Sequence, residues 1–363
     1  MDQPQTRIAD TRPVSLWLFG ICAMIFVMVV LGGTTRLTGS GLSIMEWHPV
    51  TGILPPLSHQ AWENLFALYR QIPQYHLLHD GMSLDGFKHI FWLEYFHRLW
   101  GRLMGLVFLL PFLWFAAMRR LPSGLWKWLA VFFILGGLQG GIGWFMVASG
   151  FMAGSIAVEA WRLVLHLSCA LVLYTAILWT ALSLWQPVPR RTARGLATRR
   201  LALALVGLVP LTIVAGGFMA GLHAGLTYNT FPLMDGRVFP KGYFAVPLPR
   251  GWFENITAVQ FDHRLLATLT ALIALATVIT GFAQGPRQAR PVLAALAGIV
   301  GLQYLLGVLT LLYRVPVPVA AAHQACAVLL LTVAIVLVHD LRGAGQRAAL
   351  ATAMPAHANP AGA

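Results

Sequence analysis

The stretch EYFHRLWGR, residues 94–102, opens an apolar segment although it carries one carboxylate, one imidazole and two guanidinium groups. A second stretch, QFDHRLLA at residues 260–267, opens another apolar segment with the same His-Arg pair. Ionisable groups at membrane depth are energetically costly, and where they occur they usually serve a function. The repeated His-Arg pair therefore indicates a functional site in a chain that is built from two related halves.

The composition identifies the class of protein. Of the 363 residues, 58% are hydrophobic and only 10% are charged, whereas a soluble domain has about a quarter charged residues. Eight apolar segments reach the roughly 20 residues that a membrane-spanning helix needs, and lipid cannot satisfy backbone groups, so each segment must be helical. We predict an all-α polytopic membrane protein with eight transmembrane helices, at about 15–33, 95–117, 127–147, 162–185, 201–220, 262–282, 292–313 and 318–338.

The formal charge of +13 is distributed unevenly along the chain. Lys and Arg concentrate in the N-terminal tail, in the second, fourth and sixth connections and in the C-terminal tail. Positive residues favour the cytoplasmic side of a membrane, so both termini are predicted to be cytoplasmic, and the charge does not indicate nucleic-acid binding. The long connections 34–93 and 221–260 then face outward, and the amphipathic run 62–69 would lie against membrane lipid.

The two halves match at four places. These are Gly32-Gly33 with Gly216-Gly217, His97-Arg98 with His263-Arg264, Gly137-Leu138-Gln139 with Gly301-Leu302-Gln303, and His166 and Cys169 with His323 and Cys326. Because each half has four helices, both insert with the same orientation, and a pseudo-twofold axis along the membrane normal relates them as two tandem four-helix bundles. The predicted divisions are a cytoplasmic tail 1–14, an N-terminal half 15–187, a basic cytoplasmic linker 188–200, a C-terminal half 201–338 and a disordered tail 339–363.

Four histidines lie near the start of even-numbered predicted helices, at a similar depth near the outer surface. They are His97, His166, His263 and His323. Two in each bundle can face each other, and paired imidazoles in an apolar bundle suit the axial positions of a haem iron. A structural zinc site would need four ligands, and interhelical hydrogen bonds are the remaining alternative. Cys169 and Cys326 are expected to be packing residues and not thiolate ligands.

One difference between the halves concerns proton chemistry. Glu94 lies three residues before His97, whereas the residue three before His263 is Gln260. A buried carboxylate can act as a general acid or base, although Glu94 could instead cap the helix N-terminus. Four arginines near the histidines could meet haem propionates or could extend to lipid headgroups. They are Arg98, Arg102, Arg162 and Arg264.

Several motifs together resemble haem A synthase, in the form shared by mitochondria and alphaproteobacteria. They are GGTTRLTGSGLS at 32–43, Glu94-x-x-His97-Arg98 with Gly101-Arg102, YNTFPLMDG at 228–236, and Gln260-Phe261-x-His263-Arg264. The resemblance covers residues 16–338, which is nearly the whole chain. Some bacterial members carry a cysteine pair in the first outer loop, and this chain has none there, which puts an electron route through such a thiol pair in doubt.

The resemblance implies an oxidoreductase that converts the C8 methyl of haem O to a formyl group by successive hydroxylations, giving haem A for cytochrome oxidase. It implies haem b on His263 and His323, substrate haem near His97 and His166, and a catalytic role for Glu94. The implied setting is a bacterial inner membrane with the haem sites towards the periplasm. Implied partners are haem O synthase (protohaem farnesyltransferase) as donor, cytochrome oxidase or its assembly factors as acceptor, and an unidentified electron-transfer protein. The sequence leaves a homo-oligomer open.

Two other functions share some of these features. A di-haem b-type membrane electron carrier or quinol oxidoreductase would use the same four histidines without chemistry on the haem itself. A transporter would account for the repeat, but no predicted span has an obvious Gly/Pro break at mid-membrane. Extraction and separation of the haems discriminates the synthase from the carrier.

Overall fold

The computed structural model describes residues 10–48 and 51–345, and within them the structure is helical, with no β-strand longer than an isolated bridge. Eleven α-helices occur in these residues. They are α1 (Arg12–Leu37), α2 (His59–Tyr69), α3 (Pro73–Leu78), α4 (Leu84–Ala117), α5 (Leu125–Ser149), α6 (Ala160–Trp185), α7 (Leu196–Gly221), α8 (Gly251–Glu254), α9 (Ile256–Gln284), α10 (Arg290–Leu312) and α11 (Val317–Asp340).

Eight of these helices are long and apolar enough to cross a membrane, which confirms the eight predicted spans. They are α1, α4, α5, α6, α7, α9, α10 and α11. The largest difference is at α4, which begins at Leu84 and not near residue 95. Ser83 caps this helix by accepting a hydrogen bond from the backbone N–H of Gly86 at 3.2 Å. The added turns are rich in aromatic and polar residues, so hydropathy alone does not reveal them.

Each half of the chain forms a ring of four contacting helices. In the first half α1 contacts α4 and α6, and α5 contacts the same two helices. In the second half α7 contacts α9 and α11, and α10 closes the ring. The halves meet along α1, α6, α7 and α11. One shared core runs through both, and Tyr174 on α6 and Thr332 on α11 join their hydroxyl groups across it at 2.7 Å. The pseudo-twofold axis and the membrane orientation stay predictions.

The first outer loop folds against the extension of α4. Its helices α2 and α3 bury Phe66, Tyr69 and Tyr75 in a separate apolar cluster with Phe87 and Phe91 of α4. The predicted amphipathic run 62–69 is thus helical, but its apolar face contacts protein, and the expected contact of that face with lipid is wrong. The loop thereby forms an ordered layer over the outer end of the first half.

The two predicted boundaries on the opposite side of the molecule differ from the structure. The linker predicted at 188–200 ends earlier, because α7 begins at Leu196. The tail predicted to be disordered from residue 339 begins too early, because α11 continues to Asp340 and Thr192 exchanges backbone hydrogen bonds with Gly343 and Gly345. His339, the first residue of that predicted tail, is 1% exposed, and its ring packs edge-on against Trp179 with the ring centroids 5.1 Å apart. The rest of that tail, 346–363, lies outside the described residues, as do residues 1–9.

Candidate functional site

Each of the four histidines faces a glycine on a neighbouring helix. A methyl group placed on Gly32 would lie 3.1 Å from Nε2 of His97, and one on Gly216 would lie 3.1 Å from Cε1 of His263. A methyl group on Gly143 would lie 3.0 Å from Cε1 of His166, and one on Gly307 would lie 2.9 Å from Cε1 of His323. Any side chain at these positions would displace the ring, so glycine sets the place of each imidazole. Sequence comparison found the repeat of Gly32 and Gly216 but not this contact.

The helix packing places the histidines of each half on two opposite helices of its ring. His97 lies on α4 and His166 on α6, which both contact α1 and α5, and His263 lies on α9 and His323 on α11, which both contact α7 and α10. Gln139 donates from Nε2 to the backbone carbonyl of His166 at 2.7 Å and lies 3.1 Å from Nδ1 of the same ring. The predicted pairing of the histidines across each bundle stays a prediction.

Imidazole nitrogens on helices of one bundle are groups that can hold a haem iron. In the described part of the chain, Nδ1 of His263 and Nδ1 of His323 are buried without a hydrogen bond of good geometry, although the backbones of Thr212 and Gln303 lie close to the two rings. Buried polar atoms normally have partners, so imidazoles of this kind are suited to serve as ligands. The cysteines do not join them in a metal-binding group within the same residues, and Sγ of Cys326 instead contacts the carbonyl of Ile299 at 3.7 Å.

Glu94 lies at the centre of a hydrogen-bond network that ties the first outer loop to α4. Its carboxylate is 3% exposed. Oε2 accepts from the backbone N–H and the hydroxyl of Ser43, both at 2.7 Å, and from the N–H of Ile44 at 3.0 Å. Oε1 accepts from Nε and Nη2 of Arg98 at 3.0 and 2.7 Å. Because α4 begins ten residues earlier, Glu94 does not cap the helix, and that alternative is wrong.

Arg98 extends this network to the loop backbone. Its guanidinium donates to the carbonyl of Ile44 at 2.7 Å and to that of Glu46 at 2.9 Å. It also lies over the ring of Trp144, 5.7 Å from the centroid, and Trp47 stacks on Trp144 with the ring centroids 5.8 Å apart. Trp144 follows Gly143, the glycine that faces His166, so the network ends one residue from that contact.

The second half repeats this arrangement with one chemical change. Arg264 donates to the carbonyls of Tyr228 at 2.8 Å and Thr230 at 2.9 Å, which the repeat equates with Ile44 and Glu46. Gln260 is 0% exposed, and its amide donates to the carbonyl of Tyr228 at 3.0 Å. Its Oε1 has no hydrogen-bond partner among the described residues. The amide thus donates to the loop backbone, whereas the carboxylate of Glu94 accepts from it.

The other two predicted arginines also have protein partners. Arg102 donates to the carbonyl of His48 at 2.8 Å. Arg162 donates to the carbonyl of Phe145 at 3.0 Å and pairs with Glu159 at 2.7 Å. All four predicted arginines therefore contact loops or helix ends near the histidine pairs, and their proposed contact with a propionate would add to these bonds.

Fold and site together define a polytopic membrane protein with repeated histidines in its two halves, and with a buried carboxylate, Glu94, in the first half where the second has an amide, Gln260. A family model described as cytochrome oxidase assembly protein matches residues 15–335. The chain is 58% identical to "Heme A synthase" of Granulibacter bethesdensis over 95% of this chain and 91% of that protein. It is 46% identical to "Heme A synthase" of Nitrosospira multiformis over 93% of this chain and 95% of the relative. It is 44% identical to "Heme A synthase 2" of Acidiphilium cryptum over 94% of this chain and 93% of that protein. The chain belongs to the haem A synthase family, which the sequence motifs predicted.

Proposed function

We propose that this chain oxidises the C8 methyl group of haem O to a formyl group by successive hydroxylations, giving haem A for cytochrome oxidase. The difference between the two matched halves supports this proposal, because a carboxylate, Glu94, pairs with Arg98 in the first half and an amide, Gln260, lies at the matching position in the second. A di-haem electron carrier would need no such difference between its two sites. Membership of a cytochrome oxidase assembly family also favours the synthase over the carrier.

The two histidine pairs would have different occupants. His263 and His323 would hold a resident haem b, and His97 and His166 would hold the iron of the substrate haem. Their fit rests on the glycine-lined places of the rings and on the buried Nδ1 atoms of the C-terminal pair. A bound haem supplies the redox chemistry that an unactivated methyl group requires and that no side chain here can supply. Arg98, Arg102, Arg162 and Arg264 would contribute positive charge near propionates.

Glu94 would handle protons in the N-terminal half. Oxidation of a methyl group releases protons, and a positioned carboxylate can accept one or orient a water. The carboxylate is held by Arg98 and by the hydroxyl and backbone of Ser43. These bonds fix its position, which preorganises the group for transfer. Gln260 cannot accept a proton in this way, so the C-terminal half would carry electrons or stabilise the fold.

The expected setting is the inner membrane of a bacterium, with both termini cytoplasmic and both sites towards the periplasm. The relatives named above are bacterial proteins, and Lys and Arg concentrate in the connections that this orientation places inside. Haem O synthase would supply the substrate, and cytochrome oxidase or its assembly factors would receive the product. An electron-transfer partner is also required, since the chemistry is oxidative.

Expression in a bacterial host without its own haem A synthase, together with haem O synthase, tests this function. The membrane pigments are extracted and haems B, O and A are separated. The wild-type chain is expected to produce haem A. Membranes with abundant folded protein and only haems B and O would contradict the proposal and favour the di-haem carrier.

A further inference from the structure

Gln139 on α5 contacts His166 at two atoms. Its Nε2 lies 2.7 Å from the backbone carbonyl oxygen of His166 and 3.1 Å from Nδ1 of the imidazole. Because a carbonyl oxygen only accepts hydrogen bonds, the amide atom beside it is the nitrogen. The same nitrogen therefore donates to Nδ1. A neutral imidazole whose Nδ1 accepts a hydrogen bond carries its proton on Nε2.

This hydrogen bond affects how His166 can bind a metal ion. A metal takes an imidazole nitrogen that carries no proton, and here that nitrogen is already bonded to Gln139. Ligation through Nδ1 would displace the amide. Ligation through Nε2 would move the proton to Nδ1, where it would face the N–H of the amide. Either nitrogen can therefore bind iron only after the bond to Gln139 is lost.

The backbone of α5 holds the ring next to this amide. Gly143 follows Gln139 by one turn, so both residues lie on the same face of α5. A methyl group on Gly143 would lie 3.0 Å from Cε1 of His166, which shows how closely the helix approaches the ring. The contact between Gln139 and His166 thus belongs to the packing of α5 against α6.

The second half has the same residues in the same places without this hydrogen bond. Gln303 on α10 corresponds to Gln139, and Gly307, one turn later, faces His323. Within the described residues, Nδ1 of His323 has no hydrogen bond of good geometry, and Oε1 of Gln303 has no partner. The repeat therefore gives both halves a glutamine beside the glycine, but only Gln139 donates to its histidine.

We propose that Gln139 is a positioning residue that makes His166 the weaker of the two iron ligands in the N-terminal half. The inference deepens the proposed function and rests on it, because it assumes that His97 and His166 hold the iron of the substrate haem. A haem that enters and leaves is served by one firm ligand and one that is easily released. A resident haem is served by two firm ligands, and Gln303 does not oppose ligation by His323.

The first test measures how fast carbon monoxide replaces the weaker ligand. The full chain with His263→Ala and His323→Ala, in which only the N-terminal pair can bind haem, is loaded with haem B and reduced. At saturating carbon monoxide, the rate of binding equals the rate at which an imidazole leaves the iron. Gln139→Glu supplies a carboxylate that accepts from the Nδ1–H group and strengthens the ligand, so this rate should fall about tenfold. Gln139→Leu only removes the opposing N–H and should lie between.

The direction of the change separates this role from a structural one. If Gln139 served only to pack α5 against α6, both substitutions would loosen His166 and raise the rate. Gln303→Glu, at the matching place in the second half, is the control and should leave the rate at its parent value. An unchanged or faster rate in Gln139→Glu, or an equal slowing in Gln303→Glu, would overturn the inference.

A second measurement leaves the C-terminal pair intact. His97→Ala and His166→Ala proteins are expressed with haem O synthase and purified, and their content of haems O and A is compared. Removal of the weaker ligand should matter less, so His166→Ala is expected to retain several-fold more of these haems than His97→Ala. Equal retention, or greater retention by His97→Ala, would overturn the inference.

These outcomes separate the role of Gln139 from the proposed function. If the wild type makes haem A while Gln139→Glu leaves the carbon monoxide rate unchanged, only the role of Gln139 fails. If the wild type makes no haem A, the function fails whatever the ligand measurements give.

Discussion

The most informative comparison in this molecule is between Arg98 in the first half and Arg264 in the second, each of which holds an outer loop. Arg98 and Arg264 bind carbonyls at equivalent places in the two outer loops. The residue one turn earlier is a carboxylate in one half and an amide in the other. The backbone geometry of the duplicated site has been kept while its proton chemistry has been changed. The repeat of the two halves therefore explains why both have histidines. The difference between Glu94 and Gln260 explains why only the first half would react.

Replacement of the Glu94 carboxylate by an amide should have the largest effect on activity. Glu94→Gln is expected to lower haem A formation by about 10²- to 10⁴-fold, the usual contribution of a positioned acid or base. The variant should keep its haem, because the histidine pairs are untouched. Gln260→Glu serves as the matched control and should still form haem A. Pigment analysis with haem per protein measures both quantities, and normal haem A output from Glu94→Gln would refute the proton role.

Removal of the arginines should affect the free energy of unfolding unequally. Arg98→Gln leaves a buried carboxylate without its cation, which costs about 3–5 kcal/mol. Arg264→Gln removes only bonds to carbonyls and should cost about 1–3 kcal/mol. Thermal unfolding in detergent compares the two variants. Equal losses would mean that the Glu94 ion pair contributes no more than the carbonyl contacts that both arginines share.

The glycines that face the histidines should be equally sensitive in the two halves. Gly143→Ala and Gly307→Ala force a methyl group to within about 3 Å of an imidazole, and overpacking of this kind costs about 1–3 kcal/mol. Gly141→Ala and Gly301→Ala are the controls, since a methyl group there meets nothing within 4 Å. Haem content and thermal unfolding should fall in the first two variants only. Loss in the controls as well would show that helix flexibility, and not ring placement, requires these glycines.

A small pH effect should distinguish the first outer loop. Burial lowers the pKa of His79 below its ordinary value of 6.5, and Nδ1 of this ring lies 2.5 Å from the buried Tyr69 hydroxyl. The folded loop therefore binds fewer protons than the unfolded loop near that pH, so its stability is complete above pH 6.5 and decreases as the pH falls below it.

Hydrogen exchange in residues 59–79 at pH 5.5 and pH 7.5 measures this effect, which should be on the order of 1 kcal/mol or less. His79→Gln should remove the pH dependence, while His76→Gln, at an exposed position, should leave it. A loop that exchanges equally at both pH values in the wild type would contradict the assignment to His79.

Much of this architecture follows from local features of the sequence. The eight spans follow from apolar length, and the four histidines were visible because the repeat placed them at equivalent positions. Arg98 and Arg264 were predicted to meet propionates or lipid, and their hydrogen bonds to the loop carbonyls were not foreseen. The partners of Glu94 could not be predicted, because Ser43 lies 51 residues away and only the folded loop brings it near. The early start of α4 was hidden because its outer turns are covered by that same loop.

The central claim is that the C-terminal pair holds a resident haem and the N-terminal pair receives the substrate. The most direct measurement is the haem content of purified His97→Ala and His263→Ala proteins, expressed with haem O synthase and separated into haems B, O and A. His97→Ala should retain haem B and lack haems O and A. His263→Ala should lose haem B. Retention of haem B by His263→Ala together with its loss from His97→Ala would contradict the assignment of the two halves.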